Sequence, residues 1–292
     1  MALVVLVVGG GGIYACSKAS TFDASMAKVY DVPVPKIERS TDPDVLARGK
    51  HLANAVAPCT ASLCHGADVG GGKPIVMGPV ATLNAPNITA GGLGAAYTDG
   101  ELARLLRHGI KKDGRSLTFM PVQDFAWLPD SDIAAIVSYL RTLPSVDRPN
   151  GDVTVGVLGK VLDVNGQMEL CVARQIDHDK PDIAPAPSPT AAYGKYITRL
   201  CTGCHGHGFS GGPLPGAPKS MPVPKNITPH ETGLKDWTYD DFDKLLTTGM
   251  SKSGKQIKDL MPIEAFGQMS DLEKHAVWEY LRTLPPLPFG NR

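Results

Sequence analysis

The sequence predicts a mainly α-helical protein built as two similar tandem domains. Three observations carry that expectation: an internal repeat, amphipathic segments at equivalent places in its two copies, and a cysteine–cysteine–histidine cluster in each. Asn87-Ile88-Thr89 recurs as Asn226-Ile227-Thr228, and residues 120–144 align without a gap on residues 261–285. Both stretches carry Tyr-Leu-Arg-Thr-Leu-Pro, starting at Tyr139 and Tyr280, while Phe125 falls on Phe266 and Asp130 on Asp271. A repeat of this size is too long for a solenoid unit and suits a small domain. The expected division is a first domain at 42–145, a linker at 146–189 and a second domain at 190–292, preceded by an N-terminal segment (1–17) and a spacer (18–41).

Each domain is expected to open and close on a helix. Residues 42–57 read as an amphipathic helix with Asp42 as N-cap, Pro43 in the first helical position and Asp44 in the first turn. Its counterpart starts near Thr190 and carries Tyr193 and Tyr196. Gly49 and Gly194 sit inside these helices; glycine weakens a helix, so their presence suggests close approach of a second helix. The natural partners are residues 130–143 and 271–284, with Asp130 and Asp271 at their N-termini and prolines after their ends. Ile133, Ile136, Val137 and Leu140 form one core stripe, matched by Trp278, Tyr280 and Leu281. Shorter amphipathic helices are expected over 99–108 and 239–248, between Gly- and Pro-rich stretches. Loops of that length in a compact domain need something else to organise them.

Cys201-Thr202-Gly203-Cys204-His205 has the C-x-x-C-H spacing of covalent haem attachment: two thiols bond the vinyl groups and the adjacent imidazole takes an axial position on iron. Cys59-Thr60-Ala61-Ser62-Leu63-Cys64-His65 carries four residues between its cysteines. The shared Cys-Thr start favours a two-residue insertion that keeps both thioether bonds; the alternative is a single bond from Cys64, with Cys59 free or in a disulfide. A Met-Pro pair follows each cluster, at Met120 and Met261, and the repeat makes these two methionines equivalent. Met269 falls on Leu128 and reads as core, while Met77 and Met221 have no gap-free methionine counterpart. Met120 and Met261 are therefore the candidate thioether ligands of two haems c. His/Met ligation raises the reduction potential and fills both axial positions, which suits electron transfer.

At these residues the chain resembles the class I cytochrome c superfamily, and more narrowly the multihaem cytochrome subunits of bacterial membrane-bound alcohol and sugar dehydrogenases. The resemblance covers roughly residues 43–145 and 187–286 and is strongest at Asn226-Ile227-Thr228, Trp237 to Phe242, Met261-Pro262 and Tyr280 to Pro285. It implies His65 and His205 as proximal ligands and Met120 and Met261 as distal ones. The dehydrogenase subunits usually carry three haems, whereas this chain has motifs for two.

A formal net charge of zero gives no indication of nucleic acid or of a strongly charged partner. The implied partners are redox proteins or a membrane electron-transfer complex. Haem c is attached outside the bacterial cytoplasm, so the expected location is the periplasmic side of a membrane. Residues 2–14 are the candidate export signal or anchor, although they are shorter than the roughly 20 residues of a spanning helix. They also lack the basic start of a signal peptide. Ile13-Tyr14-Ala15-Cys16 faintly resembles a lipoprotein cleavage site. Residues 32–35 read as a spacer that holds the first domain off a membrane surface. In the linker, 153–164 suggests a strand or hairpin and 181–189 a semi-extended Pro-rich tether. Cys171 reads as a buried free thiol, with a disulfide to Cys16 or Cys59 as the alternative; His178 and His207 read as exposed bystanders. The Asn-Ile-Thr triplets match a glycosylation pattern but read as loop structure.

The expected function is a two-haem electron carrier rather than an enzyme. A diheme peroxidase or thiosulfate-oxidising cytochrome is the rival, and it needs an iron with an open or labile position, against which the matching Met-Pro pairs argue. A haem-based sensor lacks an effector domain, and zinc binding lacks a second cysteine pair at suitable spacing.

Overall fold

The computed structural model of the chain describes all residues except 1, 180–182, 216, 218 and 258–260, and for residues 2–10 the backbone alone. Part of the expected N-terminal segment and the start of the 181–189 tether therefore lie outside the described residues. The fold is mainly helical, and its two halves repeat one order of elements. After α1 (Ala2–Ala27), which has no counterpart, these are in the first half α2 (Pro43–His51), α3 (Asp99–His108) and α4 (Asp130–Leu140). After α5 (Val157–Val164) of the linker come α6 (Ala191–Ile197), α7 (Arg199–His205), α8 (Tyr239–Thr248), α9 (Ile263–Phe266) and α10 (Asp271–Thr283).

Local sequence sets the helix ends. The Asp42 side chain accepts from the Asp44 amide and starts α2. Thr98 with Glu101, Thr238 with Asp241 and Ser270 with Glu273 form reciprocal capping boxes that start α3, α8 and α10. Gly109 and Gly249, both left-handed, stop α3 and α8. Asp130 occupies the first turn of α4 rather than its cap, which is Pro129.

Within each half the first and last helices pack together, α2 on α4 and α6 on α10. The crossing points are the two glycines. A Cβ on Gly49 would lie 2.0 Å from the Ala135 carbonyl oxygen, and one on Gly194 would lie 1.8 Å from that of Ala276. Ile133, Ile136, Val137, Ile197, Val277 and Leu281 are buried around these crossings. At roughly 1.5–3 kcal/mol per buried aliphatic side chain, they outweigh the roughly 1 kcal/mol each glycine costs its helix.

The expected helix over 42–57 divides. After α2 the chain enters a π-helical turn, Leu52–Val56, before it reaches Cys59. Three more residues lie between Gly49 and Cys59 than between Gly194 and Cys201, and the wider turn absorbs part of that insertion.

The linker and the N-terminal region differ from their expected forms. Thr154–Val155 forms a short strand, β3, beside β2 (Ala81–Leu83), which also pairs with β1 (Ile75–Val76). The chain then forms α5, which packs on α1. Valine and glycine suggested a hairpin, but the apolar residues of 157–164 also lie on one helical face. Phe22 of α1 is buried with Met77, Val80, Leu83, Leu170 and Cys171 in a second, smaller core. Residues 28–41 do not stand off as a spacer. Tyr30 bonds Gly114, Arg104 bonds the Val32 carbonyl and Arg39 pairs with Asp99, so this strap lies on the first half. Among the described residues no helix is long and apolar enough to cross a membrane.

One apolar core runs through both halves. The contact between them is reciprocal: the π turn beside the first cluster packs on α9, and α7, which carries the second cluster, packs on the 3-10 turn Val122–Asp124. Trp127 is buried at this junction, edge-on to Tyr193 at 6.5 Å and tilted over Tyr196 at 5.9 Å. His51 Nε2 meets both oxygens of buried Glu273 at 3.0 and 2.9 Å.

Gly194→Ala should force α6 and α10 apart and cost about 2–3 kcal/mol in denaturant unfolding, where an exposed substitution such as Gly203→Ala, with open space around its Cβ, does not. The His51 and Ser270 bonds hold Glu273 below its ordinary value of 4.5 although burial opposes them. Its stabilising contribution is therefore present above about pH 4.5 and lost as the pH falls through the lower folded value. Glu273→Gln should flatten the fall in stability measured from pH 5 to pH 3.

Candidate functional site

Each cluster follows directly on the glycine-centred helix of its half, so the helix crossing places the thiols against the core. Cys59 is buried, and Cys201 is half-buried and packs on the same core cluster. Burial, reinforced by the neighbouring Cys64, pushes the Cys59 thiol up to about 12; burial beside Asp124 and Cys204 pushes Cys201 up to about 12 as well. No disulfide links any of the six cysteines, so neither alternative disulfide of Cys171 is formed. Cys171 is fully buried in the smaller core, where Asp163 accepts from its amide at 3.0 Å and from that of Leu170 at 2.8 Å.

The two histidines are held alike. His65 Nδ1 lies 2.8 Å from the Pro86 carbonyl oxygen, and His205 Nδ1 lies 2.6 Å from that of Lys225. A ring nitrogen facing a carbonyl carries the proton, so Nε2 keeps the free lone pair. Burial lowers both imidazoles below their ordinary value and keeps them neutral.

The turns after the histidines also match. Gly66 and Gly206 both have φ of 78°. Val69 and Phe209, four residues past the histidines, are both left-handed non-glycine residues, at 47° and 56°. Each accepts at its carbonyl from the next loop, from Ile88 at 3.0 Å and Ile227 at 2.9 Å. Such a conformation costs of order 1–3 kcal/mol, and its recurrence ties the two loops to one design.

The Asn-Ile-Thr triplets anchor those loops. Asn87 Oδ1 accepts from the Thr89 amide and hydroxyl at 3.0 and 2.7 Å; Asn226 does the same with Thr228 at 2.9 and 2.8 Å. Their Nδ2 groups reach past the terminal helices to the carbonyls of Val146 and Leu287, both at 2.8 Å. Both asparagines are buried, which fits loop structure and leaves no room for a glycan.

Met120 and Met261 are half-buried against the common core, and Met269 is buried, as a core side chain should be. Met77 belongs to the smaller core. His178 is half-buried rather than exposed, with Nδ1 3.1 Å from His108 Nδ1 and its ring edge-on to Tyr30. His207 is exposed and faces Glu169 at 3.8 Å.

The wider first cluster keeps the closure of the second. In α7 the His205 amide lies one helical turn beyond the Cys201 carbonyl; in the first half the His65 amide donates to the Cys59 carbonyl at 2.9 Å across the longer loop.

Sequence reasoning missed Asp124. This carboxyl is buried at the junction of the halves, bonded to the Thr202 side chain, with Oδ1 unpartnered. Burial and nearby Glu169 raise it well above the carboxylate range. Thr202 Oγ1 also donates to the Arg199 carbonyl at 2.8 Å. Its repeat equivalent is Ala265, so the repeat carried no signal for it.

Residues 46–144 match the family model for cytochrome c. This segment is a cytochrome c domain. Over 276 residues the chain is 28% identical to the cytochrome c subunit of a quinone alcohol dehydrogenase from Gluconacetobacter polyoxogenes, covering 85% of this chain and 57% of that protein. It is 26% identical over 229 residues to a diheme cytochrome c-type protein of Cereibacter sphaeroides, covering 70% and 73%. A gluconate 2-dehydrogenase cytochrome c subunit from Pantoea cypripedii is 34% identical over 107 residues, 34% of this chain and 24% of that one. The chain thus spans little more than half the length of the alcohol dehydrogenase subunit it matches. The donor set of the first half fits the haem c this family carries: a buried and a half-buried thiol, an imidazole with Nε2 free, and a glycine-lined backbone. A Cβ on Gly72 would collide with the Cys64 carbonyl at 1.7 Å.

Asn226→Ala should unpair the Thr228 amide, leave the Leu287 carbonyl only its bond from the Thr228 hydroxyl at 3.1 Å, and cost about 2–3 kcal/mol. Thermal unfolding of that variant and of Asn87→Ala should show comparable losses.

Proposed function

We propose that the chain is a diheme c-type cytochrome that carries electrons as part of a larger membrane-associated oxidoreductase, with a cytochrome c domain in each half. The observation that carries this reading is the repeated histidine geometry: in both clusters Nδ1 is tied to a carbonyl of the following loop and Nε2 is left free. Cys59 and Cys64 would hold one haem and Cys201 and Cys204 the other. His65 and Met120 would hold the iron of the first, and His205 and Met261 that of the second. Haem held in this way would supply one-electron transfer chemistry. The chain's own residues hold, orient and shield: the carbonyls of Pro86 and Lys225 fix the imidazole planes, and the shared core excludes water. The preserved bond from the His65 amide to the Cys59 carbonyl favours two thioethers in the first half.

The names of the relatives support a place beside a dehydrogenase, with electrons leaving to an oxidase, a reaction centre or a soluble cytochrome. The domains on this reading are 42–145 and 190–292. Residues 1–17 serve export or anchoring at the periplasmic side of a bacterial membrane.

Intact-mass measurement after alkylation in denaturant should give the mass of two haems, with Cys171 alkylated and Cys59, Cys64, Cys201 and Cys204 protected. An alkylated Cys59 would reduce the first attachment to one bond. Met120→His and Met261→His should each lower the midpoint potential of one centre and remove its share of the far-red sulfur-to-iron band. High-spin ferric haem or peroxide turnover in the resting protein would favour the diheme peroxidase instead.

A further inference from the structure

Asp124 is an acid where the fold does not require one. It ends the 3-10 turn Val122–Asp124, is only 4% exposed, and its Oδ1 has no hydrogen-bond partner among the described residues. A buried polar atom left unpaired costs roughly 1–3 kcal/mol, and Ala265, the equivalent residue of the second half, carries no such cost. What the acid faces is the second cluster. Its side chain bonds that of Thr202, between the two attachment cysteines, and it lies near enough to Cys201 and Cys204 to raise both thiols.

Burial, the largest influence, and Glu169 of the linker favour the protonated acid. They outweigh the Thr202 bond and Arg199 of α7, which favour the carboxylate, so the acid holds its proton to higher pH than an ordinary aspartate. The other charged groups packed on this turn are engaged elsewhere. Arg107 of α3 donates to the carbonyls of Ala126 and Leu128 and to Asp130, His108 faces His178, and Arg174 of the 3-10 turn Val172–Gln175 is held by Asp163 at 2.7 Å. Gln123, beside Asp124 in the turn, donates from Nε2 to Glu169 Oε2 at 2.5 Å. Glu169 is itself 33% exposed and faces the exposed His207 at 3.8 Å, so the polar groups run from the buried acid to solvent. An electron lost at the second cluster leaves one more positive charge beside Asp124. In a site shielded from water that charge acts strongly over a few ångströms, and it favours the carboxylate over the acid.

We propose that Asp124 couples electron transfer at the second centre to a proton. As one electron passes from that centre to its acceptor protein, the Asp124 O–H bond breaks and the proton leaves to water beside Glu169; it returns when the centre is reduced. One negative and one positive charge are lost together, so the net charge at the junction is unchanged by oxidation. The first cluster, with Ala265 at the equivalent place, receives no such coupling from it. This deepens, and rests on, the reading of one haem at each cluster.

The test is an equilibrium redox titration of the haem-loaded protein from about pH 4 to about pH 9. Because oxidation releases the proton, one midpoint should fall as the pH rises through the Asp124 window. At full coupling the oxidised-to-reduced ratio changes tenfold per pH unit, about 59 mV for one electron. Met261→His should displace that same step, which assigns it to the second half. Asp124→Asn, similar in shape and still able to bond Thr202, should abolish the slope, and Glu169→Gln should move it to lower pH. Redox difference infrared spectra inside the window should show a protonated carboxyl band that is lost on oxidation and absent from Asp124→Asn. A midpoint that does not vary with pH, or an unchanged slope in Asp124→Asn, would overturn the proposal. If Asp124→Asn does not load haem, the Glu169→Gln protein decides, and an unmoved slope there overturns it. Fewer than two haems by intact mass would instead overturn the underlying reading, and that is seen before any titration.

Discussion

The contact on which the rest of this structure depends is backbone against backbone: Gly49 on the Ala135 carbonyl and Gly194 on that of Ala276. Any side chain at either glycine would separate the helices, since even a single Cβ has nowhere to go. Because the helices meet so closely, their apolar stripes close into one core, and the chain leaving α2 or α6 is delivered to the same side of it. The cysteines follow within a few residues and inherit that position. The placement of the thiols is thus downstream of a packing constraint far simpler than the site itself.

A second layer fixes direction. The loops after the histidines carry few helical bonds, and they are held instead by strained residues at Val69 and Phe209 and by buried Asn87 and Asn226. These anchors bring the Pro86 and Lys225 carbonyls to the histidine rings. Each loop is tied in turn to the segment after its terminal helix, at Val146 or Leu287, so the ends of each half support its centre.

What the sequence disclosed follows from this arrangement. The repeat, the glycine crossings and the boundaries of α3 and α8 were legible, because each depends on local pattern or on one half compared with the other. The N-terminal strap, α5 and the smaller core were not, since they have no counterpart in the second half and their partners lie far away in sequence. Phe22 against Leu170 is such a case. Asp124 was hidden for the same reason: an aspartate in a short turn reads as solvated until α7 of the other half is seen to cover it. The expected helix over 42–57 failed at the point where the halves differ in length.

The reciprocal junction explains why the two halves need not behave alike. Each attachment segment packs on the turn that follows the other half's Met-Pro pair, the π turn on α9 and α7 on Val122–Asp124. A change at one methionine loop therefore reaches the opposite attachment segment through direct contact, with no longer path required. The contacting residues have diverged, however: Asp124 stands where the second half has Ala265, and Trp127 where it has Gln268. The same architecture thus sets a buried acid against one cysteine–histidine cluster and an alanine at the equivalent place against the other, so two clusters of one backbone geometry lie in different electrostatic surroundings.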